Sequence, residues 1–295
     1  MGGQGLPGPA GQSGQPSQPN RQPILVHGHR GARALWPENT LPAFEYAIAA
    51  GVHAIELDLA VTRDNVVVVS HDPQLHPPVC DGPQPGAFIY TLFLAEVREW
   101  DCGKLRNPEF PRQRTVPGTR MPTLDEVFAL APKGNFLFNI ETKIFADHPE
   151  FTPSPEEFAT LVLAQVRDHR LESRVILQSF DFRILRVMKR MAPEIALAAL
   201  YEGAPKDLTA IAGEAGAGIV SPQFRLVTPQ QVRAAHEAGL QVMTWTPNRP
   251  EDWDRLIEAG VDAIITDDPA ALLAHLAAEI RPPTTPDPSR LGKVR

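Results

Sequence analysis

The chain predicts a parallel α/β fold, either a closed barrel or an open sheet, and three observations carry that prediction. Short apolar runs alternate with helix-like stretches from Pro23 to about residue 281. The runs are β-branched and lack clean polar alternation, as strands covered on both faces should be. The length, 295 residues of which 43% are apolar, is usual for one α/β barrel.

Taken in order, the strand-like runs are PILVH (23–27), AIELDLAV (54–61), VVVVSH (66–71), FLFNIETK (136–143), RVILQSF (174–180), IALAALY (195–201), GIVSPQ (218–223), QVMTWT (241–246) and AIITD (263–267). That is one run more than an eight-stranded barrel needs. The link from ELDLAV to VVVVSH is also too short for a crossover helix, so one run is expected to be irregular or joined by a tight connection.

The intervening helices are punctuated at both ends. In TPQQVRAAHEAG, Thr228 offers the N-cap, Pro229 the first helical position and Gly239 the stop. RPEDWDRLIEAG repeats the logic, with Trp253, Leu256 and Ile257 on one face and Gly260 as stop. NTLPAFEYAIAAG places Leu41, Phe44 and Ile48 on one stripe. A further helix starts at Asp181 and packs Ile184, Leu185 and Met188, and the spacing assigns both Met188 and Met191 to the core.

Residues 76 to 121 break the rhythm and read as a small loop-rich insertion over one rim, with a single short helix within TLFLAEVREWDCG. Residues 1–22 are Gly-, Pro-, Gln- and Ser-rich and are expected to be a disordered tail without an intact secretory signal. Residues 282–295 are expected to form a flexible tail after the 23–281 barrel unit.

Composition excludes several classes. The net charge of −7 and scattered Lys and Arg argue against nucleic acid as a partner. No apolar run reaches the ~18 residues of a membrane span. A soluble protein follows, either cytoplasmic or exported with its signal absent from this chain. Oligomeric state is left open. Cys80 and Cys102 lack a histidine at ligand spacing, which makes a poor zinc site. Spacing leaves a disulfide and two separate thiols equally open.

Ionisable residues gather at the C-terminal ends of the strand-like runs, where α/β folds build their sites. His29 and Arg30 follow the first run. Glu56 and Asp58 stand two apart in the second, so a strand points both carboxylates to one face. His71 and Asp72 follow VVVVS, and Glu141 and Lys143 are again two apart. Gln178, Trp245, and Asp267 with Asp268 close later runs. Three buried carboxylates need neutralising, and oxygen-only ligands favour Mg²⁺ or Ca²⁺ over zinc. Arg30 and Lys143 suit a bound phosphate. Histidines on different loops suit an acid and a base. Together these parts describe metal-assisted phosphoester cleavage. Taken singly each is weaker: Glu56 with Asp58 would fit a buried ionic network, Trp245 the core, and Asp268 a cap for the last helix. His27, His53, His76, His148, His169, His236 and His275 read as core or surface residues, with His27 also placed to line the site.

The blocks HRG (29–31), PENT (37–40), ELDLAVTRD (56–64), SHDP (70–73), NIETK (139–143), QSF (178–180), WTPN (245–248) and TDDP (266–269) occur in the order of the glycerophosphodiester phosphodiesterase family, which the chain resembles from residue 24 to 280. The resemblance implies a TIM-type (β/α)8 barrel. It implies hydrolysis of glycerophosphodiesters, small-molecule substrates, to sn-glycerol 3-phosphate and an alcohol. One divalent cation, Mg²⁺ or Ca²⁺, would be held by Glu56, Asp58 and Glu141. His29 and His71 match the acid–base pair, and Arg30 and Lys143 the phosphate-side cations. Gln178, Phe180 and Trp245 fall at substrate-side positions, with Phe180 and Trp245 bracketing the glycerol carbons. Asn39, and with it Glu38, matches a supporting position at the start of the first helix. Asn65 replaces the usual glycine of the turn after the metal strand, so it must accept a left-handed backbone. Other readings are a related phosphodiesterase acting on lysophospholipids in the manner of a phospholipase D, a barrel that only binds a phosphorylated ligand, and a sugar-phosphate isomerase or aldolase.

Overall fold

Strand pairing decides between barrel and open sheet. The structure, a computed structural model, describes residues 23–280. The expectations for the two tails lie outside the described residues. Eight parallel strands form a closed ring: β1 (Leu25–Gly28), β2 (Ala54–Val61), β6 (Leu137–Thr142), β7 (Val175–Ser179), β8 (Ala196–Tyr201), β9 (Ile219–Pro222), β10 (Gln241–Trp245) and β11 (Ala263–Thr266). Closure comes from β1, which pairs with β11 on one side and with β2 on the other.

The ninth run is not a barrel strand. β3 (Val67–Val69) folds back antiparallel on the end of β2, with Leu59 opposite Val69 and Val61 opposite Val67. The tight connection is a turn in which Asn65 takes φ 61°, so the asparagine does accept the left-handed region. Between β3 and α3 (Leu124–Phe128) the chain carries only a two-strand ribbon, β4 (Gln74–Leu75) with β5 (Ala87–Phe88), a 3₁₀ turn at Ile89–Thr91 and the four-residue α2 (Leu94–Val97). The TLFLAEVREWDCG stretch thus carries the one short α-helix expected within it, α2. Cys80 and Cys102 form a disulfide inside this region. Around it a satellite core gathers Leu75, Ile89, Val97, Trp100 and Met121.

The outer helices are α1 (Leu41–Ala50), α4 (Pro155–Asp168), α5 (Phe182–Met191), α6 (Leu208–Ala215), α7 (Pro229–Glu237), α8 (Pro250–Ala259) and α9 (Pro269–Ile280). Their starts follow the expected chemistry: Thr228 Oγ1 accepts from Gln231 N, and Asp181 accepts from Arg183 N. Gly51 and Gly260 end α1 and α8 in the left-handed region. Met188 is buried, but Met191 is 38% exposed at the end of α5, which corrects its assignment to the core. Met191 is the last residue of α5, one turn beyond the buried Met188. Among the described residues, no helix is long and apolar enough to cross a membrane.

Two-residue periodicity sorts each strand between two environments. On β2, Ile55, Leu57 and Leu59 face the helices in the main core. Glu56 and Asp58 alternate with them and are buried on the other face, inside the barrel. The interior is sealed by a layer made from Ile176, Ala198, Ile219, Met243, Ala263 and Ile265. Registers of β2 to β6 and β6 to β7 then set Asp58 beside Glu141, and Glu141 beside Gln178, in one row.

Candidate active site

A cavity of about 200 Å³ opens at the C-terminal end of the barrel. Its lining includes His29, Arg30, Glu56, His71, Glu141, Lys143, Gln178, Phe180 and Trp245. Asp58, Glu38 and Asn39 lie behind this lining and are bonded into it. All twelve residues singled out from the sequence therefore meet in one place.

The first loop is built around a glycine. Gly31 takes φ +84°, and a Cβ there would lie 2.7 Å from the carbonyl carbon of Ala43 in α1. No other residue lets the loop lie this close to the helix. Arg30 (φ 47°) and Asn39 (φ 57°) share the left-handed region without being glycine. Strain of this kind persists where surrounding bonds over-determine it, and here they do. The Arg30 amide donates to Glu56 Oε2 at 2.9 Å, and its Nε lies 3.1 Å from Asp58 Oδ2. Its Nη1 donates to Glu38 Oε1. Asn39 Nδ2 donates to Asp58 Oδ2 at 2.8 Å, and Asn39 Oδ1 accepts from the Asp58 amide at 3.3 Å. Glu38 thus braces the arginine, and Asn39 braces the carboxylate.

Glu56, Asp58 and Glu141 each offer an oxygen atom, and the three lie within 4.8 Å of one another. Their ionisation shows an imbalance. Burial tends to raise the Asp58 carboxyl, but Lys143 and Arg30 outweigh it and hold the group well below its ordinary value. Burial pushes Glu56 well up, and the charges of Asp58 and Glu141 add to the push. Glu141 is raised by burial against the pull of Lys143, whose Nζ is 2.6 Å from Glu141 Oε1 and 3.1 Å from Asp58 Oδ1. Three carboxylates face two cations, and Asp58 Oδ1 is buried without a hydrogen bond. An all-oxygen donor set with surplus negative charge fits a hard divalent cation.

Each site histidine has a carboxylate behind it. His29 Nδ1 lies 2.6 Å from Asp267 Oδ1, and Nε2 lies on the Glu56 side, 4.0 Å from Oε2. Asp267 is itself held: Asn248 Nδ2 donates to Oδ2 at 2.6 Å, and Asn248 Oδ1 accepts from the Asp267 amide at 2.9 Å. Burial lowers the His29 imidazole, with Asp267 opposing. The ion pair holds Asp267 below its ordinary value in spite of burial. His71 Nδ1 lies 2.8 Å from Asp72 Oδ1, and Asp72 Oδ2 meets His76 Nε2 at 2.8 Å.

Several of these partners escape a sequence reading. Asp267 stands at a strand end and reads as easily as a helix cap, which is what its neighbour does: Asp268 Oδ1 accepts from Ala271 N at 3.1 Å. Asn248 falls within WTPN and Arg33 between HRG and PENT, and neither carries a spacing signal of its own. His76 reads as a bland loop residue, yet it braces Asp72. His53 accepts from Val26 N, and His169, His236 and His275 pair with carboxylates away from the cavity. His27 is buried beneath the site against Asn139, with its Nε2 unpartnered among the described residues.

Residues 29–271 match the Glycerophosphoryl diester phosphodiesterase family. A glycerophosphodiester phosphodiesterase of Caldanaerobacter subterraneus subsp. tengcongensis is 35% identical over 250 residues, covering 84% of this chain and 96% of that protein. A crystal structure from Silicibacter pomeroyi, of a protein assigned to the same class of enzyme, superposes with a TM-score of 0.81 at 34% identity, over 87% of this chain and 94% of that one. An Oleispira antarctica phosphodiesterase, solved with the product sn-glycerol-3-phosphate, shares the fold at TM-score 0.75 and 24% identity, over 86% and 96% of the two chains. The eight-stranded barrel, the acidic triad at its mouth and these similarities agree, and the chain belongs to the glycerophosphoryl diester phosphodiesterase family.

Proposed function

We propose that the chain hydrolyses glycerophosphodiesters to sn-glycerol 3-phosphate and an alcohol. In this reading His29 and His71 form the acid–base pair, and Glu56, Asp58 and Glu141 hold one divalent cation, Mg²⁺ or Ca²⁺. The observation that carries the reading is the meeting of three mutually close carboxylates, two carboxylate-backed histidines and two fixed cations on one cavity. A hard cation, when bound, neutralises charge on the non-bridging oxygens of the phosphodiester and makes phosphorus more electrophilic.

The chain's own groups account for the rest. Arg30 and Lys143 are pinned by carboxylates and present preorganised positive charge to the phosphoryl oxygens. Asp267 and Asp72 accept the Nδ1–H of their histidines, so each imidazole works through Nε2. One Nε2 takes the proton of the nucleophile, either the glycerol hydroxyl beside the ester or a water. The new O–P bond forms as the P–O bond to the alcohol breaks. The other imidazole, protonated, gives its Nε2–H to the departing oxygen. If the glycerol hydroxyl attacks, the first product is a cyclic phosphate, which water opens with the two histidines exchanging roles. Phe180 and Trp245, edge to face at 5.5 Å, wall the carbon side of the cavity.

A coupled assay for glycerol 3-phosphate tests the reading. His29→Ala and His71→Ala are each expected to cost about 10² to 10⁴ in turnover, the usual share of acid–base catalysis. EDTA is expected to abolish activity, and Mg²⁺ or Ca²⁺ to restore it. Near-wild-type rates in both variants reject the histidine roles, and full activity after chelation rejects the cation.

A further inference from the structure

Arg33 belongs to none of the groups used above, yet it lines the same cavity. It sits four residues beyond His29, whose carbonyl accepts from the Arg33 amide at 3.3 Å. Three contacts fix it in place. Its Nε donates to Glu38 Oε2 at 2.7 Å, its guanidinium lies 4.7 Å from the centre of the Phe110 ring, and Gln113 Nε2 donates to its carbonyl at 2.9 Å. Phe110 and Gln113 come from the stretch between β3 and α3. That long segment therefore reaches the cavity by aiming one arginine.

The charge pattern distinguishes this arginine from its neighbours. Arg30 is engaged by Glu38 and Asp58, and Lys143 by Asp58 and Glu141. The single carboxylate of Glu38 is shared between Arg30 and Arg33, so that trio keeps one positive charge. Among the described residues, neither terminal nitrogen of Arg33 has a hydrogen-bond partner. The exposed Glu109 lies 3.9 Å from Nη2. Asp267 adds negative charge nearby, but its oxygens are bonded to His29 and Asn248.

Topology gives the direction. In the ring, β8 stands four strands from β1 by either route, and β7 is next to it. Leu200 on β8 and Phe180 after β7 therefore form the wall across from the β1 loop that carries Arg33. A diester with its glycerol carbons on that apolar wall, and its phosphate at the triad, extends its other alcohol toward the β1 side.

We infer that Arg33 is a specificity residue that selects glycerophosphodiesters whose leaving alcohol carries an oxyanion, a carboxylate or a phosphate, over those carrying a quaternary ammonium. The inference rests on the proposed hydrolysis. A guanidinium pairs with such oxyanions through parallel N–H donors, and it repels a fixed cation in the same place.

The test compares kcat/KM for three substrates: glycerophosphoglycerol bearing a terminal phosphate, glycerophosphoglycerol and glycerophosphocholine. The wild type is expected to favour the phosphate-bearing substrate over the choline ester by about tenfold or more, the size of one charge-assisted hydrogen bond. Arg33→Gln is expected to bring that ratio close to one, and Arg33→Lys to keep part of it. Phe110→Ala, which frees the guanidinium without changing charge, is expected to lower the ratio as well. A wild-type ratio near one overturns the inference. So does an Arg33→Gln variant that loses the same factor on all three substrates, which would place Arg33 on the shared phosphodiester. No hydrolysis of any substrate by cation-loaded wild type would instead overturn the proposed function, and this inference with it.

Discussion

Asp267→Asn is the most informative single change, because the structure dictates how the new amide must sit. Asp267 Oδ2 accepts from Asn248 Nδ2, and Oδ1 faces His29 Nδ1. An asparagine has one acceptor and one donor end. Asn248 presents a donor, so the new carbonyl oxygen turns toward it and the new NH₂ turns toward His29. The imidazole must then accept at Nδ1 and carry its proton on Nε2, the opposite tautomer. Nε2 can no longer take a proton from a nucleophile. The loss of a charge-assisted hydrogen bond adds about 1.5–3 kcal/mol, or roughly 10- to 150-fold. A wrong tautomer in a comparable serine-protease pair costs about 10⁴ in turnover. Turnover is therefore expected to fall by about 10² to 10⁴, with KM moving much less, in the glycerol 3-phosphate assay. Thermal unfolding of the variant separates this from misfolding. A folded Asp267→Asn protein within threefold of wild-type turnover would refute the argument.

Three further outcomes follow from the geometry. Adding Mg²⁺ or Ca²⁺ at about 100 times its Kd is expected to stabilise the wild type by about 2.7 kcal/mol; Glu56→Gln, which removes the carboxylate least compensated by protein cations, is expected to lose most of that shift in a melting experiment, and an undiminished shift would place the ion elsewhere. Reducing the Cys80–Cys102 bridge, whose ends are 22 residues apart, is expected to lower stability by about 3 kcal/mol in denaturant titration, and an unchanged midpoint would count against a closed bridge. Burial, with His53 adding to it, lowers His27 to about 3 from an ordinary 6.5, so the folded state holds it neutral while the unfolded chain takes up a proton. Stability is then full above pH 6.5 and falls as pH drops toward 3, by up to about 1.4 kcal/mol per pH unit from this group; His27→Asn is expected to flatten that part of the profile relative to wild type, and identical slopes would dismiss the effect.

What the sequence exposes, and what it hides, follows from the range of the interactions. Glu56 and Asp58 are legible because a strand alternates its faces, and the same rule exposes Glu141. Helix starts at Thr228 and Asp181 are legible because a cap acts on an amide two or three residues away. The fate of VVVVSH is not legible from its composition, since Val67–Val69 would suit a barrel strand equally well. Only the Asn65 turn sends it back along β2. Met191 fails for a related reason: helical spacing gives the direction of a side chain, but not where the neighbouring wall ends.

The least legible feature is the bracing of the acid–base pair, and the reason is physical. His29 and Asp267 are 238 residues apart and meet only because β1 and β11 are neighbours across the seam of the barrel. Barrel closure itself therefore orders the first histidine. A chain that formed every strand but left β1 unpaired from β11 would keep Glu56, Asp58 and Glu141 together on β2 and β6, yet it would leave His29 without its carboxylate. His71 depends instead on a local partner, Asp72, one residue along. The two imidazoles thus answer to different parts of the fold. Perturbations at the β1–β11 seam are expected to reach His29 first, and those in the segment carrying His76 to reach His71. Asn248→Ala and His76→Ala separate the two: each should lower turnover while leaving the stabilisation by added cation close to wild type. Loss of that stabilisation in either variant would show that triad and histidines form one cooperative unit, against this division.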